Sequence, residues 1–209
     1  GGNGVAYSGF VNSETATVLG GALSYSGTSQ GATNAGHYAI TPGGLTSTNY
    51  TLSFVDGALT INPAALTAIA GNLTGSVAKT YDGSASAALT VGNYLLSGWF
   101  GADSATITKT VGIYADQDVG SNKLVTVNLT NSDYAATGTT NLGNYTLPSF
   151  ISGNVGNIAK AQLTLTANNA SKTYGDANPA LTSTLSGFVN GESILTSGVS
   201  GTSLTSTSA

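Results

Sequence analysis

Two aspartates separated by one residue, Asp116 and Asp118, have a spacing that could begin a metal site. Calcium takes about six to eight oxygen ligands, and two carboxylates with nearby backbone carbonyls would supply part of that set. The glutamate that ends a complete calcium loop is missing, so a turn between two strands is the simpler interpretation. The sequence therefore predicts no cofactor, with calcium at Asp116 and Asp118 as the alternative.

Adjacent bulky aromatic residues, Trp99 and Phe100, lie between two glycines, and Tyr94 precedes them closely. Exposed, these rings would form a platform for stacking on a sugar or docking a partner. Buried, they would fill the core, which is the usual fate of tryptophan. The core interpretation is favoured, and Trp99, Phe100 and Tyr94 are kept as the candidate ligand-binding residues.

Residues for catalysis are scarce. The chain has no cysteine and a single histidine, His37, so a cysteine nucleophile and a multi-histidine metal site are both excluded. The carboxylates fall at turns and suggest no acid–base pair. Gly36 before His37 matches Gly120 in the middle of the chain, and each is predicted to begin a strand. We therefore expect no enzymatic activity.

The composition favours an all-β protein. Only 7% of the 209 residues are charged, the net charge is -4, and Cys and Met are absent. Without basic clusters, binding to nucleic acid or to an anionic membrane surface is not expected. No apolar run is long enough to cross a bilayer, so membrane insertion is not expected either. Abundant Thr, Val and Tyr between Gly, Asn and Asp turns indicate many short strands.

Period-two alternation predicts strands at residues 22–27, 37–42, 51–57, 105–114 and 122–128. Asp56 and Gly57 stand between two alternating runs and predict a hairpin turn. Two short segments, 13–19 and 191–197, are the candidates for helices, although their threonines weaken helix propensity.

Three motifs occur twice in the chain. GFVNSET at 9–15 recurs as GFVNGES at 187–193, KTYDG at 79–83 as KTYGD at 172–176, and NYTL at 49–52 as NYTL at 144–147. Each NYTL segment is interpreted as leading into the closing hairpin of a module, followed by a short joint. The predicted modules are 1–64, which lacks its first strand, 65–160, which is complete, and 161–209, the first half of another.

Four tyrosines recur at the same positions of these motifs: Tyr50, Tyr81, Tyr145 and Tyr174. A tyrosine of this kind packs its ring against a sheet and places its hydroxyl at the domain edge, where it finds a partner. Stacking on a sugar is the functional alternative. We expect the structural role.

The ordered set of motifs carries a family resemblance. KTYGDANPAL, SGFVNGES and the segment from TSQGATNAGHYAI to NYTL resemble the MBG-type repeat of bacterial surface adhesins. KTYDGSASAAL, YADQDVGSNKLVTV and the second NYTL resemble the YDG-type repeat that alternates with it. The resemblance is to filamentous-haemagglutinin-like exoproteins, many of them exported by two-partner secretion. It implies β-grasp-like or β-sandwich-like modules without catalytic residues.

From these observations we expect a tandem array of modules of about 90 residues forming an elongated rod. The expected function is that of an extracellular, non-enzymatic stalk of a cell-surface adhesin. Two alternatives stay open: a repeating subunit of an extracellular filament or sheath, and a carbohydrate-binding module using Trp99. Expected partners are neighbouring modules, with other copies of the chain and extracellular polysaccharide as further possibilities.

Overall fold

The computed structural model describes residues 4–66 and 73–199, and these are mainly β, which confirms the predicted fold class. Two compact units are present. One contains residues 4–66 with 138–147, and the other contains residues 73–137 with 148–199. In chain order the strands are β1 (Gly20–Ser26), β2 (Gly36–Thr46), β3 (Gly57–Ile61), β4 (Ala64–Ala65), β5 (Val77–Thr80), β6 (Ser86–Ala88), β7 (Ser104–Ile107), β8 (Val111–Tyr114), β9 (Gly120–Asn128), β10 (Tyr134–Thr137), β11 (Tyr145–Thr146), β12 (Phe150–Ala159), β13 (Thr164–Ala167) and β14 (Ser183–Ser186).

The helical content of the described residues is limited to short 3-10 helices. Each has three residues: Ala16–Val18, Val91–Asn93, Asn131–Asp133 and Leu142–Asn144. The second and third are closed in the same way, with the side chain three residues after a threonine accepting that threonine's backbone N–H. These single turns cap the short strands and add no helical layer to the fold.

The first unit is built on an antiparallel sheet in the order β1-β2-β3. The long strand β2 pairs with β3 through its first half and with β1 through its second half. A register shift interrupts the β1–β2 ladder after Gly21. At Gly21 the backbone has a φ of +78°, and a Cβ would lie 2.2 Å from the carbonyl oxygen of Gly44, so only glycine fits.

A segment from later in the chain completes this unit. Strand β11 pairs in parallel with β4, and the backbone N–H of Leu66 continues the ladder to the carbonyl of Thr146 over 3.2 Å. The side-chain oxygen of Asn144 accepts the backbone N–H of Ala35 over 2.7 Å. The side chains of Leu66 and Tyr145 are both buried.

The second unit is built on a five-stranded sheet in the order β5-β12-β9-β8-β6. Strand β12 lies next to the edge strand β5, pairing with it in parallel and with β9 in antiparallel orientation. The apolar core lies on this sheet and includes Val77, Ala87, Ile107, Tyr114, Val125, Val127, Ile151 and Ile158. Two small antiparallel pairs, β7–β10 and β13–β14, complete the unit.

The sheet of the second unit is strongly curled. The hydroxyl of Tyr114, on β8, donates to the carbonyl of Val77, on β5, over 2.8 Å. These strands are three steps apart in the sheet, which in a flat sheet is roughly 14 Å at the usual strand spacing. A tyrosine side chain is too short to cover that distance, so the curl brings β5 back over β8.

The structure corrects three predictions of local structure. The segment 13–19 contains only the 3-10 turn Ala16–Val18, and 191–197 forms turns, because isolated short helices rich in threonine are not stable. Residues 51–56 form no strand, so Asp56 precedes β3, Gly57 begins it, and the two residues do not join two paired strands. The segments after NYTL are single strands, β3 and β12, and not closing hairpins.

The other strand predictions agree with the structure apart from one interruption. The predicted strands at 22–27, 37–42 and 122–128 coincide with β1, β2 and β9. The predicted strand 105–114 is divided into β7 and β8, because the two halves pair with different partners, β10 and β9. The Asp116–Asp118 segment lies in the connection between β8 and β9, as the turn interpretation requires.

Candidate functional site

The parallel pair β5–β12 joins the first and the last strands, in chain order, of the five-stranded sheet. Gly156 to Ala159 of β12 are in register with Val77 to Thr80 of β5. The ladder continues past the strand ends, because the N–H of Tyr81 donates to the carbonyl of Ala159 over 2.8 Å. Both strands run in the same direction, so the start of β5 and the end of β12 lie at opposite ends of one ladder.

The lysine of the KTYDG motif holds the loop that follows β5. The Nζ of Lys79 donates to Asp82 over 2.7 Å and to the Ser84 carbonyl over 2.5 Å, and it lies 5.5 Å from the centre of the Tyr114 ring. The Lys79 ammonium and the Ser84 backbone N–H lower the pKa of Asp82 to about 2. The loop is therefore held in one conformation by charge-assisted hydrogen bonds.

The hydroxyl of Tyr50 joins two segments of the first unit that are distant in the chain. That hydroxyl donates to the carboxylate of Glu14 and accepts the backbone N–H of Val11 over 3.3 Å. Its ring meets Phe10 edge to face, with 5.5 Å between ring centres. The contact with the Glu14 carboxylate raises the pKa of Tyr50.

Tyr81 makes a similar contact with a residue distant in the chain. Its hydroxyl donates to Glu192 over 2.5 Å, and this contact raises the pKa of Tyr81. Beside it, the side-chain amide of Asn190 donates to the carbonyl of Gly83 over 3.4 Å. The KTYDG loop and the second GFVN turn therefore dock on each other.

The remaining two signature tyrosines differ from each other. Tyr145, on β11, is buried as expected for a packing role. Tyr174 is fully exposed, so the expected packing of its ring is wrong for this copy. In the KTYGD turn the lysine side chain bonds within its own loop, with Nζ of Lys172 donating to the side chain of Asn178 over 2.7 Å.

The acidic pair is organised around a lysine. Asp116 forms an ion pair with Lys123 on β9, and its carboxylate also accepts the backbone N–H of Asp118 over 2.8 Å. Both contacts lower the pKa of Asp116, with the lysine contributing most. Among the described residues no three carboxylates, histidines or cysteines cluster as a metal site would require. Calcium would have to displace the lysine, and this site stays a prediction.

The aromatic candidates are placed partly at the surface. Trp99 is half-buried, and Phe100, in a turn closed by the N–H of Asp103, is 84% exposed. Trp99 is not among the buried core residues, which corrects the core interpretation favoured above. The hydroxyl of Tyr94 is committed to the carbonyl of Lys109 over 2.7 Å. A ligand for these residues stays a prediction.

The single histidine lies on a strand as predicted. Gly36 and Gly120 are the first residues of β2 and β9, which agrees with their interpretation as strand entries. His37 is exposed on β2, and its Nδ1 lies 3.0 Å from the hydroxyl of Thr60 on β3. This cross-strand contact gives His37 a place in the ladder of the sheet.

Sequence reasoning missed Glu14, Glu192 and Asn190 as functional residues. All three belong to the repeated GFVN motif, whose recurrence was visible in the sequence. Their partners lie 36 and more than 100 residues away. The repeat was the available signal, but the identity of the partners depends on the fold.

Two tyrosines of the second unit, the buried Tyr134 and the partly buried Tyr94, predict an alkaline transition. Burial, with a smaller effect of the Asp133 charge, raises the pKa of Tyr94 and of Tyr134 to about 12 from a usual value of 10.0. The raised values mean that stability is complete below pH 10 and falls as the pH rises from 10 to 12. Ultraviolet titration of phenolate should show a group of late tyrosines, Tyr94 and Tyr134 among them, that ionise together with unfolding.

The control for this titration is Tyr134→Phe, which removes one late-ionising group and leaves Tyr94 in place. The hydroxyl of Tyr134 donates to the carbonyl of Pro148 over 2.6 Å, so the variant also loses that hydrogen bond. Ionisation of all tyrosines near pH 10 with the fold intact would contradict the prediction.

No helix in the described residues is long and apolar enough to cross a membrane. The comparison with protein families gives two matches. The model of the MBG domain (YGX type) matches residues 2–60 and 163–209, about half of the chain, and the model of the YDG domain matches residues 62–152. Neither family is enzymatic. No curated protein and no solved structure matches the sequence. The chain therefore belongs to the MBG (YGX-type) domain family and carries a YDG domain between its two MBG segments.

Proposed function

We propose that this chain is a non-enzymatic stalk segment of a large secreted bacterial surface adhesin, which carries tension between the cell and an adhesion site. The observation behind the proposal is the parallel pairing of β5 with β12 in the second unit. The family assignment supports an adhesin-like repeat module. The extracellular location and the role in cell–cell or cell–matrix adhesion are parts of this proposal.

The mechanical argument follows from strand direction. A pull applied at the start of β5 and at the end of β12 acts on the two strands at opposite ends of their ladder. Because the two strands are parallel, that pull slides one strand along the other. All the hydrogen bonds that join Val77–Thr80 to β12 are then strained at the same time. Pulling at the same end of both strands would break these bonds one after another. The domain is therefore built to unfold slowly under force along the chain.

The chemistry of the chain suits this role outside the cell. Cysteine is absent, so the hydrogen-bonded ladders and the apolar core carry the stability without disulfides. Charged residues are few, so little of that stability depends on salt-sensitive surface pairs. The elongated rod expected from the repeats stays a prediction, as do the carbohydrate-binding and filament alternatives.

The test is to pull the chain in two directions through engineered cysteines. The chain has no natural cysteine, so handles attach only where cysteines are placed. Ser76→Cys with Lys160→Cys loads the start of β5 against the end of β12. Thr80→Cys with Lys160→Cys loads the same ends of both strands. All three positions are exposed, and the variants share one attachment point.

We expect the first variant to unfold at a force several times that of the second in single-molecule pulling experiments. The hydrogen bonds and the core are identical in the two molecules, so a difference reports loading direction alone. Equal unfolding forces would remove the basis of the proposal. Equal thermal midpoints of the two variants without force are the control for unchanged stability.

A further inference from the structure

The two copies of the GFVN turn have the same backbone but different partners. Asn12 and Asn190 share a φ of 51°, and in each turn the N–H of the glutamate donates to a valine carbonyl over 3.0 Å. Glu14 accepts the hydroxyl of Tyr50, from within its own MBG segment. Glu192 accepts the hydroxyl of Tyr81, from the YDG domain. The same turn conformation therefore binds a tyrosine of its own MBG segment in the first copy and a tyrosine of the YDG domain in the second.

The second turn shows what a KTYDG loop needs in order to dock. Tyr81 reaches Glu192, and the carbonyl of Gly83 accepts the Asn190 side chain. A Cβ on Gly83 would lie 2.5 Å from the Cβ of Asn190, so the position admits only glycine. The positive φ of Gly83, +74°, adds a backbone reason for the same residue.

The first turn presents the same groups without this partner. Asn12 is exposed and makes no hydrogen bond within the described part of the chain. Glu14 has two carboxylate oxygens that can each accept hydrogen bonds, and Tyr50 uses one of them. The amide and the second carboxylate oxygen are the two groups that Asn190 and Glu192 use to hold the KTYDG loop.

We propose that the turn at residues 9–14 docks the Tyr81–Asp82–Gly83 loop of a second copy of this chain. The other tyrosine loop of the chain fits less well, because Asp176 stands where Gly83 stands in the KTYDG loop. The contact joins different surfaces of the two molecules, so repeated docking extends in one direction. This inference is independent of the mechanical proposal, since it rests on the Tyr81 hydroxyl and the Gly83 carbonyl, whereas the β5–β12 ladder uses only the backbone N–H of Tyr81.

Competition within one chain limits the docking. In each molecule the KTYDG loop is already held by Glu192 and Asn190. A partner tethered in the same chain acts at an effective concentration on the order of millimolar. A second copy therefore gains the loop only when the internal contact is weakened, and the natural chain is expected to associate weakly.

The experiment uses the full chain and weakens the internal contacts of the KTYDG loop with Glu192 and Asn190 by two substitutions. Asn190→Asp keeps a residue that tolerates positive φ but replaces the amide donor, and Glu192→Gln removes the charge that holds Tyr81. In dilute solution, where the released chain is a monomer, we expect the pKa of Tyr81 to fall towards its usual value, as judged against a matched Tyr81→Phe chain. By sedimentation equilibrium, the average mass should rise at least about twofold near millimolar concentration.

Asn12→Asp, added to the released chain, is the variant that decides the proposal. It leaves the Tyr50–Glu14 contact in place and removes the amide at the docking turn. We expect it to return the mass to that of the monomer, with an unchanged near-ultraviolet circular dichroism spectrum. The proposal is overturned if the released chain stays monomeric, if Asn12→Asp leaves the association unchanged, or if releasing the contact does not alter the titration of Tyr81.

Discussion

We expect Tyr114→Ala to lower the free energy of unfolding of the YDG domain by about 3–5 kcal/mol, as large aromatic-to-alanine changes in cores do. The ring is 2% exposed, and its hydroxyl bonds to β5 across the curl of the five-stranded sheet. Lys79 would lose the ring face over which its ammonium lies. Because small domains have about 5–15 kcal/mol of stability, this one change removes a large share.

The matched variant Tyr114→Phe separates the ring from the hydroxyl. It keeps the packing but leaves the carbonyl of Val77 without its 2.8 Å hydrogen bond. A cost of about 1–3 kcal/mol is expected for a buried acceptor left without a partner. Urea denaturation followed by circular dichroism measures both variants. Equal costs for the two would mean that the hydroxyl, and not the ring, stabilises the curl.

The sequence predicted most of the strands because the information for them is local. The module bounds 1–64, 65–160 and 161–209 stay a prediction. Alternation along 37–42 and 122–128 predicts strands, and the structure has β2 and β9 there. The Asp56–Gly57 prediction failed for a physical reason. A turn signal shows where the chain can bend, but β3 pairs with the first half of β2, which lies upstream of residues 51–56.

The partners of Glu14 and Glu192 depend on the fold and could not be predicted from the sequence alone. Two copies of one motif, with nearly the same letters, give Glu14 a partner 36 residues away and Glu192 a partner 111 residues away. The same limit applies to Tyr174, whose motif matches that of Tyr81 while its ring is exposed. A repeated motif predicts a repeated local conformation, and the surrounding modules decide what that conformation binds.

The parallel pairing of β5 with β12 was also hidden from sequence patterns. Residues 77–80 and 156–159 have patterns that are equally compatible with parallel and with antiparallel pairing. Their shared direction follows from the path of the chain through the strands between them, and not from the pattern of either segment. Tyr114 bonds to β5 across the curled sheet, and β12 shifts register at Gly153 and Gly156, so these residues support the geometry on which the proposed mechanical role depends.

We expect Gly156→Val to be the most damaging single enlargement in this sheet. The backbone of Gly156 is not in the left-handed region, so the effect is one of space alone. A Cβ there would lie 2.7 Å from Cε1 of Tyr114 and 2.9 Å from the carbonyl oxygen of Lys123. Overpacking of this kind costs about 1–3 kcal/mol for small additions, and valine adds three carbon atoms.

Gly92→Ala is the control for Gly156→Ala, because the nearest atom to a Cβ at Gly92 is the Thr90 hydroxyl at 3.8 Å. We expect the control to change the free energy of unfolding by less than about 0.5 kcal/mol. The decisive measurement combines Gly156→Ala with Tyr114→Ala. Removing the ring removes the nearer of the two clashes, so the double variant should be more stable than the sum of the single effects by about 0.5–3 kcal/mol. Strict additivity would show that Gly156 is required by the Lys123 carbonyl and not by the ring, and the curl would then depend on the backbone of β9.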